Sequence, residues 1–339
     1  MPERSNGAVS KTVVWSILTE GSNPSLSAIV YNRCVMKIKK ISVLLGGWSD
    51  EREISIKSGK NVANVLRNMG YDVSEIDVKK DLQYITEELY KSQPDFIFNI
   101  LHGTGGEDGV IQGVLDIFGV PYSGCNLLSS AICFDKAICK DIVKNNGIRI
   151  IDGFVTDKKN ISCIRDKISY PFVIKPAACG SSVGVFLILD DDDWNKFIKT
   201  EWVFDNKIIV EKYIKGREFT VCVINGKAIG ALEILYKNKS YDFESKYDKD
   251  GSKHITNFNM DETSRKELID MSEKAFKACY CSGCVRIDYR YDGSNIYFLE
   301  INTQPGMTST SLVPDIALNA NIAIEDLLMN MITNHIGYK

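Results

Sequence analysis

Two short stretches of this chain set acids, an amide and a guanidinium where they can act together. Ile296 to Leu299 is an apolar run that reads as a buried strand, and it leads directly into Glu300 and Asn302. Strand residues two apart point to the same face. Upstream, Cys284-Val285-Arg286-Ile287-Asp288-Tyr289 reads as a second strand, with Arg286 and Asp288 sharing a face in the same way. Pairing the two strands gathers two carboxylates, an amide and a guanidinium on one surface. Burying such groups without partners is costly. Carboxylate and amide oxygens suit Mg²⁺, which fills its remaining shell with water and substrate phosphates. Read alone, the same four side chains equally fit a structural ion-pair cluster.

Two further segments bear on that choice. Phe172-Val173-Ile174-Lys175 reads as a strand ending in a lysine, and Pro176 to Gly184 follows as a turn of small residues. Small residues let backbone N–H groups approach phosphate oxygens, and Lys175 adds a point charge. The lysine precedes the glycines, so this is no Walker loop; a glycine-rich hairpin explains the same pattern structurally. Val210-Glu211-Lys212-Tyr213-Ile214, then Gly216-Arg217-Glu218, offers acids, a lysine and exposed backbone that could grip an adenine edge and a ribose. The plain alternative is an interdomain hinge with solvated charges.

The elements that must position these groups follow a regular pattern from Met36 onward. Strands at Ile41–Leu45, Tyr71–Ile76 and Phe96–Ile100 alternate with helices at Ile54–Met69, closed by Gly70, and Leu82–Leu89. That alternation predicts a parallel sheet with crossover helices, and ligands at the carboxyl ends of its strands. Gly46-Gly47 and His102 to Gly109 fall at such ends. A helix from Asp135 to Asn145 and strands at Pro171–Lys175, Val185–Leu189 and Lys207–Val210 follow, with Asp190–Asp193 starting a helix. Beyond Gly216 come strands at Phe219–Ile224 and Ala228–Leu235, a polar loop from Tyr236 to Met260, and a helix over Ser264–Ala278. A loop that long and polar is often a lid.

The 339 residues are 44% hydrophobic and 25% charged with a net charge of −3, ordinary for a globular chain without general attraction to nucleic acid. No apolar run approaches the ~20 residues of a spanning helix, so no membrane partner is expected. The ten cysteines lack a secretory framework and read as reduced cytoplasmic thiols. Cys279-Tyr280-Cys281-Ser282-Gly283-Cys284 has no second cysteine pair or histidine close in sequence and reads as packing. Residues 1–35 lack apolar periodicity. They read as a disordered extension or as the product of a start set too far upstream, because Gly21-Ser22-Asn23-Pro24 is what a tRNA T-arm sequence would encode and Met36 looks like a fresh start.

In this order, Gly46 to Ser55, His102 to Gly109, Lys175 to Val183, Tyr241 to Tyr247, Arg286-Ile287-Asp288 and Glu300 to Leu312 resemble the ATP-grasp superfamily and, within it, the D-alanine–D-alanine ligases. The resemblance covers about Lys37 to the C-terminus. It implies an α/β chain: an ATP-grasp fold preceded by a parallel-sheet, Rossmann-like domain, divided at 36–131, 132–215 and 216–339 with a lid at 236–260. It implies ATP as cosubstrate, two Mg²⁺ or Mn²⁺ ions, D-alanine as substrate, a homodimer, and work in peptidoglycan synthesis in the cytoplasm.

Carried over residue by residue, Lys136 and Lys175 would hold the ATP phosphates, Glu211, Lys212 and Ile214 the adenine, and Glu218 the ribose. Asp288, Glu300 and Asn302 would be the metal ligands. Glu51 would hold the amino group of the first D-alanine, with Ser181, Tyr247 and His102 beside it. Arg286 and the Gly306 N–H would stabilise an oxyanion, Ser311 and Leu312 would hold the second D-alanine, and Lys246 would meet the transferred phosphate. Each has a duller reading: Glu51 and Ser311 as helix caps, Ser181 as a turn residue, His102 as a satisfied loop histidine, Lys136 as a solvated helix lysine. The turn Pro176-Ala177-Ala178-Cys179-Gly180 and Cys284 depart from the family's usual residues there. A D-alanine–D-lactate ligase, another carboxylate–amine ligase of the superfamily, and an ATP-binding module without turnover are the competing readings.

Overall fold

A computed structural model describes residues 38–180, 183–236 and 252–333. Ser181, Lys246, Tyr247, the first 35 residues and most of the expected lid therefore lie outside the described residues.

The first unit runs β1 (Lys40–Gly46), α1 (Arg52–Asn68), β2 (Asp72–Val78), α2 (Leu82–Ser92), β3 (Phe96–Asn99), α3 (Val110–Phe118) and α4 (Leu127–Phe134). Its three strands are parallel in the order β2-β1-β3, as the strand–helix alternation predicts. Gly70, at φ +93, follows α1 where the chain must turn left-handed. Asp81 caps α2 by accepting from the Tyr84 N–H at 3.1 Å, and Asn126 caps α4 by accepting from Ser129 N–H at 3.0 Å.

The second unit is α5 (Lys136–Asn145), β4 (Gly153–Asp157), a 3₁₀ helix (Lys158–Asp166), β5 (Phe172–Pro176), β6 (Phe186–Ile188), α6 (Asp191–Phe197) and β7 (Lys207–Lys212). Its sheet is antiparallel, ordered β4-β7-β5-β6. Asp190 caps α6, so the acidic run initiates a helix as expected.

The third unit holds β8 (Arg217–Ile224), β9 (Lys227–Tyr236), β10 (Ser252–Ile255), α7 (Glu262–Ala278), β11 (Cys284–Tyr291), β12 (Ile296–Asn302), α8 (Leu312–Asn319) and α9 (Ile324–Thr333). The sheet order is β10-β9-β8-β11-β12. Strand β10 lies inside the segment expected to be loop, where it pairs with β9. Among the described residues no helix is long and apolar enough to cross a membrane.

Three burial patterns fix how these sheets meet. Val43 and Leu45 of β1 and Val62 and Leu66 of α1 share one core with Cys222 and Leu232 of the five-stranded sheet and with Ile316 and Leu327 of the last two helices. The opposite face of that sheet, through Val221, Val285, Ile287 and Phe298, packs against Val143 of α5 and Phe276 of α7. The four-stranded sheet keeps a core of its own around Phe172, Phe197 and Trp202.

Helix α1 approaches β1 so closely that a Cβ on Gly59 would lie 2.5 Å from Leu45 Cβ and 3.0 Å from Ile100 Cγ2. Alanine normally favours a helix interior over glycine by about 1 kcal/mol. Overpacking a core costs about 1–3 kcal/mol and should win here. Gly59→Ala is expected to lower the denaturant midpoint of unfolding; an unchanged or raised midpoint would show that the helix is free to shift.

Candidate active site

Strands β11 and β12 pair antiparallel with Asp288 opposite Glu300 and Arg286 opposite Asn302. The register slips between Asp288 and Tyr289, leaving Leu299 as an extra residue. That bulge resets the alternation. Phe298 and Ile301 enter the core, while the consecutive pair Leu299 and Glu300 both line the main cavity.

Two carboxylates facing across a ladder repel each other. The surroundings offset this. Arg286 donates to both oxygens of Asp288, Nε at 3.0 Å and Nη2 at 2.9 Å. Thr220 Oγ1 donates at 2.6 Å and Asn302 Nδ2 at 3.2 Å to the same carboxylate. Lys136 Nζ lies 3.3 Å from Glu300 Oε2 and donates to the Cys179 carbonyl at 2.5 Å. Asp288, Glu300 and Asn302 thus converge as an all-oxygen donor set beside a cavity, which fits a hard divalent cation.

The cavity lies between the four-stranded and five-stranded sheets. Ile151, Val173, Val185, Leu187 and Leu299 give it apolar walls, and Lys136, Lys175, Glu211 and Glu218 its polar end. Glu211, 3% exposed, pairs with Lys175 at 2.8 Å and also with Lys140. One buried carboxylate therefore faces two ammonium groups. Burial, and next the charge of Lys175, push Lys140 well down. Burial pushes Lys175 down to about 8, with Lys136 adding to the shift and Glu300 opposing it. The Lys212 ammonium points away to Asp152 at 3.0 Å, although the residue itself lines the cavity together with Ile214. Glu218 is buried opposite Arg290, 3.5 Å from its Nη2.

A second cluster forms at the carboxyl ends of the parallel strands. Glu51 occupies the cap position of α1, yet its side chain makes no cap hydrogen bond. Its carboxylate instead crowds Gly103 and Gly180: a Cβ on either glycine would lie 2.9 Å or 2.5 Å from Glu51 Oε2. The loops after β1 and β3 and the turn after β5 therefore meet at one acid. His102 is buried here, Nδ1 3.9 Å from Glu107 Oε1, and its Nε2 has no hydrogen-bond partner among the described residues. A smaller cavity, lined by Lys136, Gly180, Glu300 and Asn302, joins this cluster to the paired strands.

Ser311 likewise does no capping with its side chain, though it precedes α8. Its Oγ accepts from the Thr308 N–H at 3.0 Å and would lie 2.9 Å from a Cβ on Gly306. Leu312 packs partly buried against the core shared by the first and third units.

Lys140 and Thr220 belong to this site without having been singled out from the sequence. Lys140 stands one turn beyond Lys136, the i,i+4 spacing that shares a helix face, so its signal was present. Thr220 becomes relevant only through its register opposite Asp288.

Comparison with known proteins accords with this arrangement. Residues 40–93 and 86–125 match the family model for the D-ala D-ala ligase N-terminus, and 143–333 the model for its C-terminus. The chain is 38% identical over 303 residues to a D-alanine–D-alanine ligase of Rhodopseudomonas palustris strain BisB18, covering 87% of this chain and 97% of that one. It is 39% identical over 290 residues to one from Rhodospirillum rubrum, covering 86% and 96%. The solved D-alanine–D-alanine ligase of Bacillus anthracis superposes with a TM-score of 0.77 at 34% identity, covering 88% of this chain and 97% of that one; its complex with ATP gives 0.76 at 33%. With both family halves matched in order and an ATP-grasp fold around the paired carboxylates, this chain belongs to the D-alanine–D-alanine ligase family.

Proposed function

We propose that this chain is an ADP-forming ligase that joins two D-alanine molecules into D-alanyl-D-alanine at the expense of ATP, for peptidoglycan precursors made in the cytoplasm. The observation that carries the proposal is the single continuous wall running from the cavity between the two sheets, across Asp288, Glu300 and Asn302, to the acid Glu51.

A carboxylate is a poor electrophile until one oxygen becomes a leaving group. The first D-alanine would attack the γ-phosphate of ATP, giving an acyl phosphate and ADP. The amine of the second D-alanine would then displace phosphate from the acyl carbon. Lys136 and Lys175 reach the polar end of the cavity and would hold the ATP phosphates. Ile214 and the backbone at Glu211 and Lys212 would border the adenine, and Glu218 the ribose. Asp288, Glu300 and Asn302 would hold magnesium, which when bound neutralises charge on the phosphates. Glu51 would anchor the first ammonium group, with His102 Nε2 available to that substrate. Arg286 would stabilise the oxyanion of the tetrahedral stage with the Gly306 N–H. Ser311 and Leu312 would border the second D-alanine. Ser181, Lys246 and Tyr247 keep the roles that the resemblance gives them, as does the three-part division of the chain and the homodimer.

Phosphate release from ATP should require D-alanine, yield D-alanyl-D-alanine, and be unsupported by L-alanine. When D-lactate competes with D-alanine, the dipeptide should remain the main product. Release without dependence on D-alanine would rule out this reading, and a dominant depsipeptide would move the chain to the ester-forming alternative.

Removing one oxyanion donor typically costs about 2.7–4 kcal/mol. Arg286→Gln should therefore lower kcat by about 10²–10³, with KM for ATP little changed. A rise in KM with kcat unchanged would place Arg286 in ground-state binding.

Lys175, near 8 in the free protein, should rise toward its ordinary value once phosphates surround it. Between those two values the free lysine is largely neutral and the bound one charged. ATP binding at pH 9 should thus take up a proton and weaken as pH rises further. Calorimetry in buffers of different ionisation enthalpy reads this directly; no uptake at pH 9 in the wild type would remove Lys175 from the phosphate site.

A further inference from the structure

Beneath the catalytic wall the fold assembles buried thiols from two distant parts of the chain. Cys133 lies in the last turn of α4, Cys139 in the first turn of α5, and Cys279 caps the C-terminus of α7. Their sulfur atoms all lie within 4.8 Å of one another. Cys139 Sγ is 3.8 Å from Cys279 Sγ, and Cys133 Sγ is 3.8 Å from Cys281 Sγ. All four are free thiols. In sequence the Cys279–Cys284 run lacked a partner pair; folding supplies one more than 130 positions upstream.

The spacing has chemical meaning. Thiolates about 2.3 Å from a tetrahedral zinc ion stand about 3.8 Å apart, the separation of two of these pairs, and Cys133, Cys139 and Cys279 are mutually close enough to share one ion while Cys281 approaches through Cys133. Sulfur-only donor sets select zinc or Cu(I) over the hard cations that carboxylates prefer. The local backbone is shaped around the pair Cys279 and Cys281: Tyr280 between them sits at φ 55 and Gly283 just after at φ 65. A bulky residue adopts the left-handed region only at a cost. An entry path exists on both sides, since Cys281 is partly exposed and Cys133 lines the smaller substrate-side cavity.

We propose that Cys133, Cys139 and Cys279, with Cys281 as the fourth ligand, form a thiolate site for a soft metal ion, zinc foremost, separate from the hard-cation site at Asp288, Glu300 and Asn302. Each ligating thiol releases its proton to solvent as the metal–sulfur bond forms. The ion acts as a clamp. Phe134, Asp135 and Lys136 lie between two of the ligands, and the Cys279–Gly283 turn leads directly into β11. Metal at this point ties the helix start bearing Lys136 to the strand bearing Arg286 and Asp288.

The test uses the full chain, reduced, stripped with chelator and dialysed against Zn²⁺ or Co²⁺. Expected results are one equivalent of Zn²⁺ retained through gel filtration in excess Mg²⁺, and a sulfur-to-cobalt charge-transfer band in the Co²⁺ form. Zinc X-ray absorption on the unsubstituted protein should show a sulfur shell at about 2.3 Å. Cys133→Ser, Cys139→Ser and Cys279→Ser should each weaken retention by about tenfold or more, while Cys163→Ser, an exposed cysteine outside the cluster, should not. The absorption measurement keeps the proposal testable if a serine variant fails to fold. Zinc lost to Mg²⁺, a shell of oxygen alone, or a disulfide joining these cysteines in the reduced preparation would overturn it.

Discussion

The mutual repulsion of Asp288 and Glu300 is the constraint around which the rest of the molecule is organised. Held opposite each other on paired strands, the two acids demand positive charge and hydrogen-bond donors from every direction. Arg286 comes from the same strand, Thr220 from the strand behind, Asn302 from the strand beside, and Lys136 from a helix of another unit. A site that needs four elements to keep two acids together is incomplete until those elements are in place. On the proposed function, the same donors would also serve phosphate and oxyanion, so that charge compensation in the free protein and catalysis in the loaded one would draw on one set of residues.

The nucleotide end repeats this logic with the sign reversed. Glu211 stands alone between Lys140 and Lys175, an excess of positive charge in a dry wall. An incoming polyanion relieves that excess. On the proposed function, phosphate binding would draw on this pair of lysines held about one acid, beyond any single contact.

Much of this was legible in the sequence because it is written in local patterns. The period-two spacing of Arg286 with Asp288 and of Glu300 with Asn302 placed each pair on one face. The strand–helix alternation before Leu101 gave the parallel sheet, and Gly70 and Asp190 marked a helix end and a helix start. What escaped has a non-local cause. The bulge at Leu299 depends on the partner strand's register, and strict alternation from the buried Phe298 would have put Glu300 in the core. Thr220 and the thiol cluster depend on which strand or helix lies alongside. Glu51 and Ser311 had good capping alternatives, and only the direction of their side chains separates the readings. Strand β10 sits in a polar stretch whose composition spoke for loop.

The isolation of the four-stranded sheet's core has a mechanical consequence. The parallel sheet and the five-stranded sheet share buried residues, so sliding one over the other would expose apolar surface to water. Phe172, Phe197 and Trp202 are buried only among neighbours in their own unit and the segment that follows α5. A tilt of the four-stranded sheet about its connections near Asp152 and Gly216 would open the cleft at the cost of only the small contact of Ala177 and Ile209 with Ala137 and the ion pairs of Lys207 with Asp135 and of Glu211 with Lys140. On the proposed function, such a jaw-like tilt would let spent nucleotide leave, resisted by a few polar contacts rather than by apolar surface torn from a shared core.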